Sequence, residues 1–302
     1  MQIAVAATPE VAIPTLDLLL QSEYGLAAVI TQPDRPSGRG LSMKESPVAT
    51  WATANGVTLH KPNSQSELAE LAADFDLIAT IGFGMIIKET ILDLPKYGFI
   101  NLHFSLLPRW RGAAPVQRAI EAGDAVTGVT VFKLDQGMDT GPIYRQSEFV
   151  LDSSATTQSL LSELADFGAP LVLETIAAIV AGESARVQPI SGASRAEKLS
   201  KDEGRIDWNL SAEMIERKVR AFYPNPGTWT TFRGSTLKIE SVELSSHAPA
   251  LPGEIIVEGK ELYISCGSGT IKVASLKPAG KSTMSGSAWL NGAQVEPGDK
   301  FL

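Results

Sequence analysis

Short apolar runs bounded by turn residues set the rhythm of the first two thirds of the chain. Residues 2–7, 26–31, 57–59, 76–81 and 98–103 are short and mostly apolar, the pattern of strands buried on both faces of a parallel sheet. Helical stretches alternate with them. Thr8-Pro9 ends the first strand, and Val11, Leu16, Leu18, Leu19 and Leu20 mark a helix through Ser22, with Pro14 in its first turn. Ser46-Pro47 opens a second helix, serine as N-cap and proline at the first helical position. Residues 65–73 and 88–92 read as further helices. This alternation predicts an α/β, Rossmann-like, doubly wound and mostly parallel sheet. After it come a helix at 115–122, a β-branched strand at 128–134 with an antiparallel return at 142–150, and a long amphipathic helix at 156–181. Residues 183–205 lose apolar periodicity and read as connecting chain. From Ile206 the grammar changes: a helix at 212–221, then short strands at 228–232, 236–242, 253–257, 261–265 and 271–276. Such a series predicts a small Greek-key barrel of OB type. The division expected is a domain at 1–188, a linker at 189–205 and a domain at 206–302.

Composition narrows the classes. With 302 residues, 44% hydrophobic and 20% charged, the chain has material for a real core. Its start reads as a strand and not as a basic leader, and no apolar run reaches the length of a membrane span. A single cysteine, Cys266, leaves no internal disulfide and no cysteine-rich metal site, as in a reducing, cytoplasmic compartment. The net charge of −8 argues against a protein that coats nucleic acid. That charge is uneven: ten Lys/Arg balance ten Asp/Glu in 206–302, so the whole −8 lies in 1–205.

The chemistry gathers at 98–115. Asn101 and His103 stand two apart at the end of an apolar strand, so they share a face where an α/β sheet usually binds its ligand. An amide offers donors that do not titrate, and an imidazole can move a proton near neutral pH. Asp139, between Gly137 and Gly141 in the loop joining two strands, is the carboxylate best set to join them. Donors beside a proton shuttle suit acyl transfer through an oxyanion. No G-x-S-x-G or reactive-cysteine setting supplies a nucleophile, so the nucleophile belongs to a substrate. G-x-G-x-x-G and the P-loop are absent, as is His/Cys metal-ligand spacing. Each group also has an ordinary reading, as satisfied strand-end residues or as a turn-forming aspartate. The residues alone define an α/β protein with an acyl-transfer-like site.

The string Asn101-Leu102-His103-Phe104-Ser105-Leu106-Leu107-Pro108, followed by Arg111-Gly112 and Pro115, resembles the signature of the 10-formyltetrahydrofolate-dependent formyltransferases. Gly137-Met138-Asp139-Thr140-Gly141 resembles their second motif. The loop at 32–45, with Arg35, Arg39 and Lys44, is similar to an insertion found in the members that act on tRNA, although Leu41-Ser42-Met43 stands where a basic pair is usual. The stretch 206–227 resembles the opening of those members' C-terminal domain. The resemblance implies formyl transfer from 10-formyltetrahydrofolate, without a metal, to the α-amine of methionine carried by initiator tRNA. Asn101, His103 and Asp139 would be catalytic, Ser105, Leu106, Leu107 and Pro108 would line the folate site, and Arg35, Arg39 and Lys44 would meet tRNA. Arg217, Lys218, Arg220, Lys272, Lys277 and Lys281 would form a further phosphate-facing surface. No membrane or DNA partner is implied. An amino-sugar or nucleotide amine as acceptor, water as acceptor, and a non-catalytic folate- or RNA-binding protein on the same fold stay open.

Overall fold

The computed structural model describes residues 1–37 and 42–302. The chain forms two compact units: one of Met1–Gly112, Val126–Val150 and Leu161–Ala196, the other of Ala113–Ala125, Leu151–Leu160 and Glu197–Leu302. In chain order the elements to residue 180 are β1 (Ile3–Ala7), α1 (Ile13–Gln21), β2 (Ala28–Ile30), β3 (Arg35–Ser37), β4 (Ser42–Lys44), α2 (Pro47–Ala54), β5 (Thr58–His60), α3 (Gln65–Ala72), β6 (Leu77–Ile81), α4 (Glu89–Leu92), β7 (Phe99–His103), α5 (Pro115–Ala122), β8 (Val126–Lys133), β9 (Ile143–Val150) and α6 (Thr157–Val180).

The first unit is built on a seven-stranded sheet in the order β5-β2-β1-β6-β7-β8-β9. Its first five strands are parallel, as the unbroken apolar runs require, and every residue of β1 and β6 is buried. The strand β8 then adds antiparallel to β7, and β9 antiparallel to β8. The strand order turns about β1, and the chemistry-bearing β7 lies one strand beyond β6. Helix α2 starts where Ser46 predicts, its hydroxyl accepting from the Ala49 N–H at 3.0 Å. The segment 32–45, expected as open loop, instead folds its arms into the ribbon β3–β4, with Arg35 opposite Lys44. Pairing the two arms satisfies backbone groups that the residue types alone do not assign to strands. Arg39 lies outside the described residues.

The remaining elements are α7 (Ala212–Phe222), β10 (Thr228–Phe232), β11 (Ser235–Ser245), β12 (Ile255–Glu258), β13 (Glu261–Ser265), β14 (Thr270–Pro278), β15 (Met284–Ser285) and α8 (Gly286–Ala293). The antiparallel order is β10-β11-β14-β13-β12, with β15 on β14. The chain end closes this sheet on itself. Leu302 exchanges backbone hydrogen bonds with Thr231 of β10 at 2.9 and 3.0 Å, while Phe301 donates to Gly253 and Asp299 accepts from Ile255 beside β12. Within lie Ile215 and Val219 of α7 with Trp208, Phe232, Trp289 and Phe301, the last three in mutual ring contact at 5.1–5.9 Å. The pair β15–α8 escapes the sequence reading. Gly286 and Gly292 lower helix propensity there, and burial of Trp289 overrides it.

Cys266 is buried in this core, and burial pushes its thiol up to about 11. A thiol with a pKa raised above its usual value is protonated across the neutral range and is a poor nucleophile there. Native protein at pH 8 is therefore expected to resist iodoacetamide and to react stoichiometrically after denaturation. Mass-spectrometric alkylation at both conditions checks it.

Candidate active site

Asn101 and His103 both stand at the carboxyl end of β7, and the flanking strands supply a hydroxyl to each side. On β6, Thr80 is in register with Asn101, and its one hydroxyl hydrogen is shared between Asn101 Oδ1 at 2.7 Å and the Ile100 carbonyl at 3.1 Å. With Oδ1 so engaged, the NH₂ group is the end of the Asn101 amide left to donate. On β8, Thr130 stands opposite His103 and is fully buried. Its hydroxyl donates to the Ser105 carbonyl at 2.6 Å and accepts from Leu107 N–H at 3.2 Å and Gln146 Nε2 at 2.9 Å, which uses its whole capacity.

That hydroxyl anchors the turn that follows β7. Ser105 Oγ donates to the Arg109 carbonyl at 2.7 Å, and Gln146 Nε2 also donates to the Leu107 carbonyl at 2.9 Å. Ser105 and Leu107 are buried in the turn's own packing, Leu107 against Phe132 and Ile143, while Leu106 and Pro108 are half-buried.

The turn brings the Trp110 carbonyl to 2.9 Å from His103 Nε2. A carbonyl can only accept, so Nε2 carries the proton and Nδ1 is the nitrogen left facing Asp139. The His103 ring is 5% exposed and edge-on to Phe132 at 6.3 Å between centroids. Asp139 Oδ2 lies 3.8 Å from Nδ1, beyond hydrogen-bond range, and accepts from the Gly112 N–H at 2.7 Å. The main chain at Trp110 supplies the hydrogen bond that orients the imidazole, with Asp139 beside its other nitrogen.

The loop that carries Asp139 is shaped from within and from beneath. Asp135 accepts from Thr140 Oγ1 at 2.8 Å and from Gly137 N–H at 3.0 Å. Gly141 has no alternative, because a Cβ there would overlap the Lys133 carbonyl. Gly112, at φ +127, would put a Cβ 2.5 Å from the Ala196 carbonyl. Asp139 itself sits at φ +54, a left-handed conformation uncommon for a residue with a side chain.

Arg35 and Lys44 are exposed on the ribbon, and Arg35 is engaged by Gln32 Oε1. In the second unit, Arg220 pairs with Glu216 and Lys272 with Glu261, while Lys218 donates to the Arg205 carbonyl. Lys277 and Lys281 are exposed and make no ion pair among the described residues. Thr80, Thr130, Trp110 and Gln146 escape the sequence reading. Thr80 and Thr130 left a signal, each a polar residue inside an apolar strand. Among the described residues no group of three or more His, Cys, Asp or Glu is placed to hold a metal, and no helix is long and apolar enough to cross a membrane.

This fold and this strand end define a formyltransferase. Residues 1–176 match the family model "Formyl transferase" and 198–294 the model "Formyl transferase, C-terminal domain". The sugar 3N-formyl transferase WlaRD superposes with a TM-score of 0.68 at 20% identity, over 93% of this chain and 99% of that one. HypX from Aquifex aeolicus, solved with tetrahydrofolic acid, gives 0.68 at 18% identity over 96% of this chain and 47% of that one. Methionyl-tRNA formyltransferase of Arthrobacter sp. (strain FB24) is 41% identical over the full length of both chains. That of Thermobifida fusca (strain YX) is 39% identical over 100% of this chain and 99% of its own. The chain belongs to the formyltransferase family, and within it to the methionyl-tRNA formyltransferases.

Proposed function

We propose that the chain transfers the formyl group from N10 of 10-formyltetrahydrofolate to the α-amine of methionyl-initiator tRNA, for translation initiation. The observation that carries this is the full-length likeness of about 40% to enzymes of that name. The geometry of Asn101, His103 and Asp139 supplies the chemistry. A free α-amine has a pKa of about 7.7–8.0 and esterification lowers it, so the neutral nucleophile is present at pH 7. Its nitrogen attacks the formyl carbon. The developing oxyanion is met by the Asn101 NH₂, with the imidazole of His103 beside it, its Nε2 proton held by the Trp110 carbonyl. The Asp139 carboxylate takes the amine proton. The bond from carbon to N10 then breaks, its electron pair returns to N10, and the proton passes there through water. The products are tetrahydrofolate and formylmethionyl-tRNA. In this reading Leu106 and Pro108, the half-buried pair of the turn, line the folate side with Ser105 and Leu107 packed behind them.

The domain at 206–302 supplies the surface for tRNA, with Arg35, Arg39 and Lys44 reaching the acceptor end. Lys277 and Lys281 are the more available phosphate contacts, since Arg220 and Lys272 are already paired. If several phosphates are neutralised, the affinity for methionyl-tRNA falls with salt by about 0.7–0.9 log units per log unit for each contact. Filter binding between low and moderate salt checks this, and a flat response removes the phosphate surface. The function is tested by offering purified protein 10-formyltetrahydrofolate with charged initiator tRNA, free methionine or an amino-sugar nucleotide. Formylation of tRNA-borne methionine is expected. A preference for the sugar nucleotide overturns the assignment of acceptor.

A further inference from the structure

We infer that Gln188, in the stretch that the sequence presents as connecting chain, is the residue that positions the Asp139 carboxylate for proton transfer. Gln188 is 6% exposed. Its Nε2 donates to the Asp139 carbonyl at 2.9 Å and to the Gly141 carbonyl at 2.7 Å. Its Oε1 accepts from Arg111 Nε at 3.1 Å and from an Arg111 terminal nitrogen at 2.6 Å. An amide has two donor hydrogens and one acceptor oxygen, and each is used in a single orientation. Arg111, by taking the oxygen, fixes which way the amide faces.

The same surroundings hold the other end of Asp139. Arg111 is laddered to the connecting stretch, its N–H donating to the Ser194 carbonyl at 2.9 Å and its carbonyl accepting from Ala196 N–H at 2.7 Å. The next residue, Gly112, donates to the Asp139 carboxylate. Asp139 is thus gripped at its carbonyl by Gln188 and at its carboxylate by Gly112, and both grips depend on Arg111. A left-handed conformation at a non-glycine residue persists only where its surroundings over-determine it. Without the Gln188 donors the backbone at 139 is free to return to negative φ, which swings the carboxylate away from His103 Nδ1. Gln188 touches neither reacting group and acts through Asp139.

This inference rests on Asp139 being the proton acceptor, and the test separates the two. Gln188→Glu keeps the volume and the acceptor for Arg111 but removes both donors; Gln188→Leu removes the polar contacts altogether. Each is expected to lower kcat by ~10–100-fold, the scale of an ångström of misplacement, with KM for both substrates within ~2-fold. In an Asp139→Asn background the same substitutions are expected to change kcat by less than ~2-fold, because residues that act as one unit are not additive. A Gln188→Glu enzyme with wild-type kcat, or a loss that multiplies fully in the Asp139→Asn background, overturns the positioning role. If Asp139→Asn alone leaves kcat unchanged, the assignment of Asp139 is what fails. Thermal melts separate misfolding from misplacement: a Gln188→Glu loss of kcat with an unchanged melting temperature supports positioning. A loss that tracks a lowered melting temperature, with KM rising in parallel, overturns it.

Discussion

Asp139→Asn is expected to lower kcat by ~10²–10⁴, the range measured for loss of a positioned acid or base, with a melting temperature close to the parent's. The two expectations belong together. Asparagine keeps the shape of the side chain, and its amide oxygen can accept the Gly112 N–H that Asp139 Oδ2 accepts at 2.7 Å. The loop therefore has no reason to move: its shape comes from Asp135, Thr140 and the carbonyl contacts of Gln188. What disappears is the charge that receives the amine proton, 3.8 Å from His103 Nδ1. Single-turnover formylation with both substrates saturating measures this step apart from product release. A kcat within threefold of the parent would remove Asp139 from the proton path. KM for methionyl-tRNA and for folate should move little, because neither substrate is held by this carboxylate in its ground state.

Asn101→Ala is expected to cost ~10²–10³ in kcat, about 2.7–4 kcal/mol, as for other single oxyanion donors. Thr80 presets this donor. Its hydroxyl occupies Asn101 Oδ1, so the orientation of the amide is set before any substrate arrives. A preset donor needs no reorganisation in the transition state, and its removal is felt in kcat more than in KM. Thr80→Val separates position from presence. The donor remains but can rotate, and a smaller loss, ~10-fold, is expected. The order Asn101→Ala below Thr80→Val below the parent is the diagnostic result. Equal and small losses in both variants would mean that the amide serves only the sheet edge.

How far the site could be read beforehand depends on the direction in which each interaction runs. Contacts along the chain were readable. The i, i+2 spacing of Asn101 and His103 fixed a common strand end, Ser46-Pro47 located the start of α2, and the glycines around Asp139 marked a tight loop. The strands at 228–232 and 261–265 coincide with β10 and β13 because turn residues bound them closely. Contacts between distant segments were not readable. Thr130 and Gln146 lie on strands whose register no local pattern reveals, and Gln188 lies in chain without any periodicity. The ribbon β3–β4 was hidden for a related reason. Arg35-Pro36-Ser37 has no strand preference, and only pairing with 42–44 makes it one.

The two threonines that flank β7 also bear on what can be transplanted. Thr80 with Asn101 and Thr130 with His103 are pairs set by strand register, so the catalytic motif is written across three strands as well as along one. Grafting 98–115 onto another doubly wound sheet would carry the letters of the signature and leave behind the Thr80 hydroxyl that holds the Asn101 amide and the Thr130 hydroxyl that anchors the turn after β7. A chimaera would need to import β6, β7 and β8 together, in their present alignment, with the chain around Gln188. Shifting any one of these strands by a single residue would reverse its side chains and put the wrong face toward the substrate.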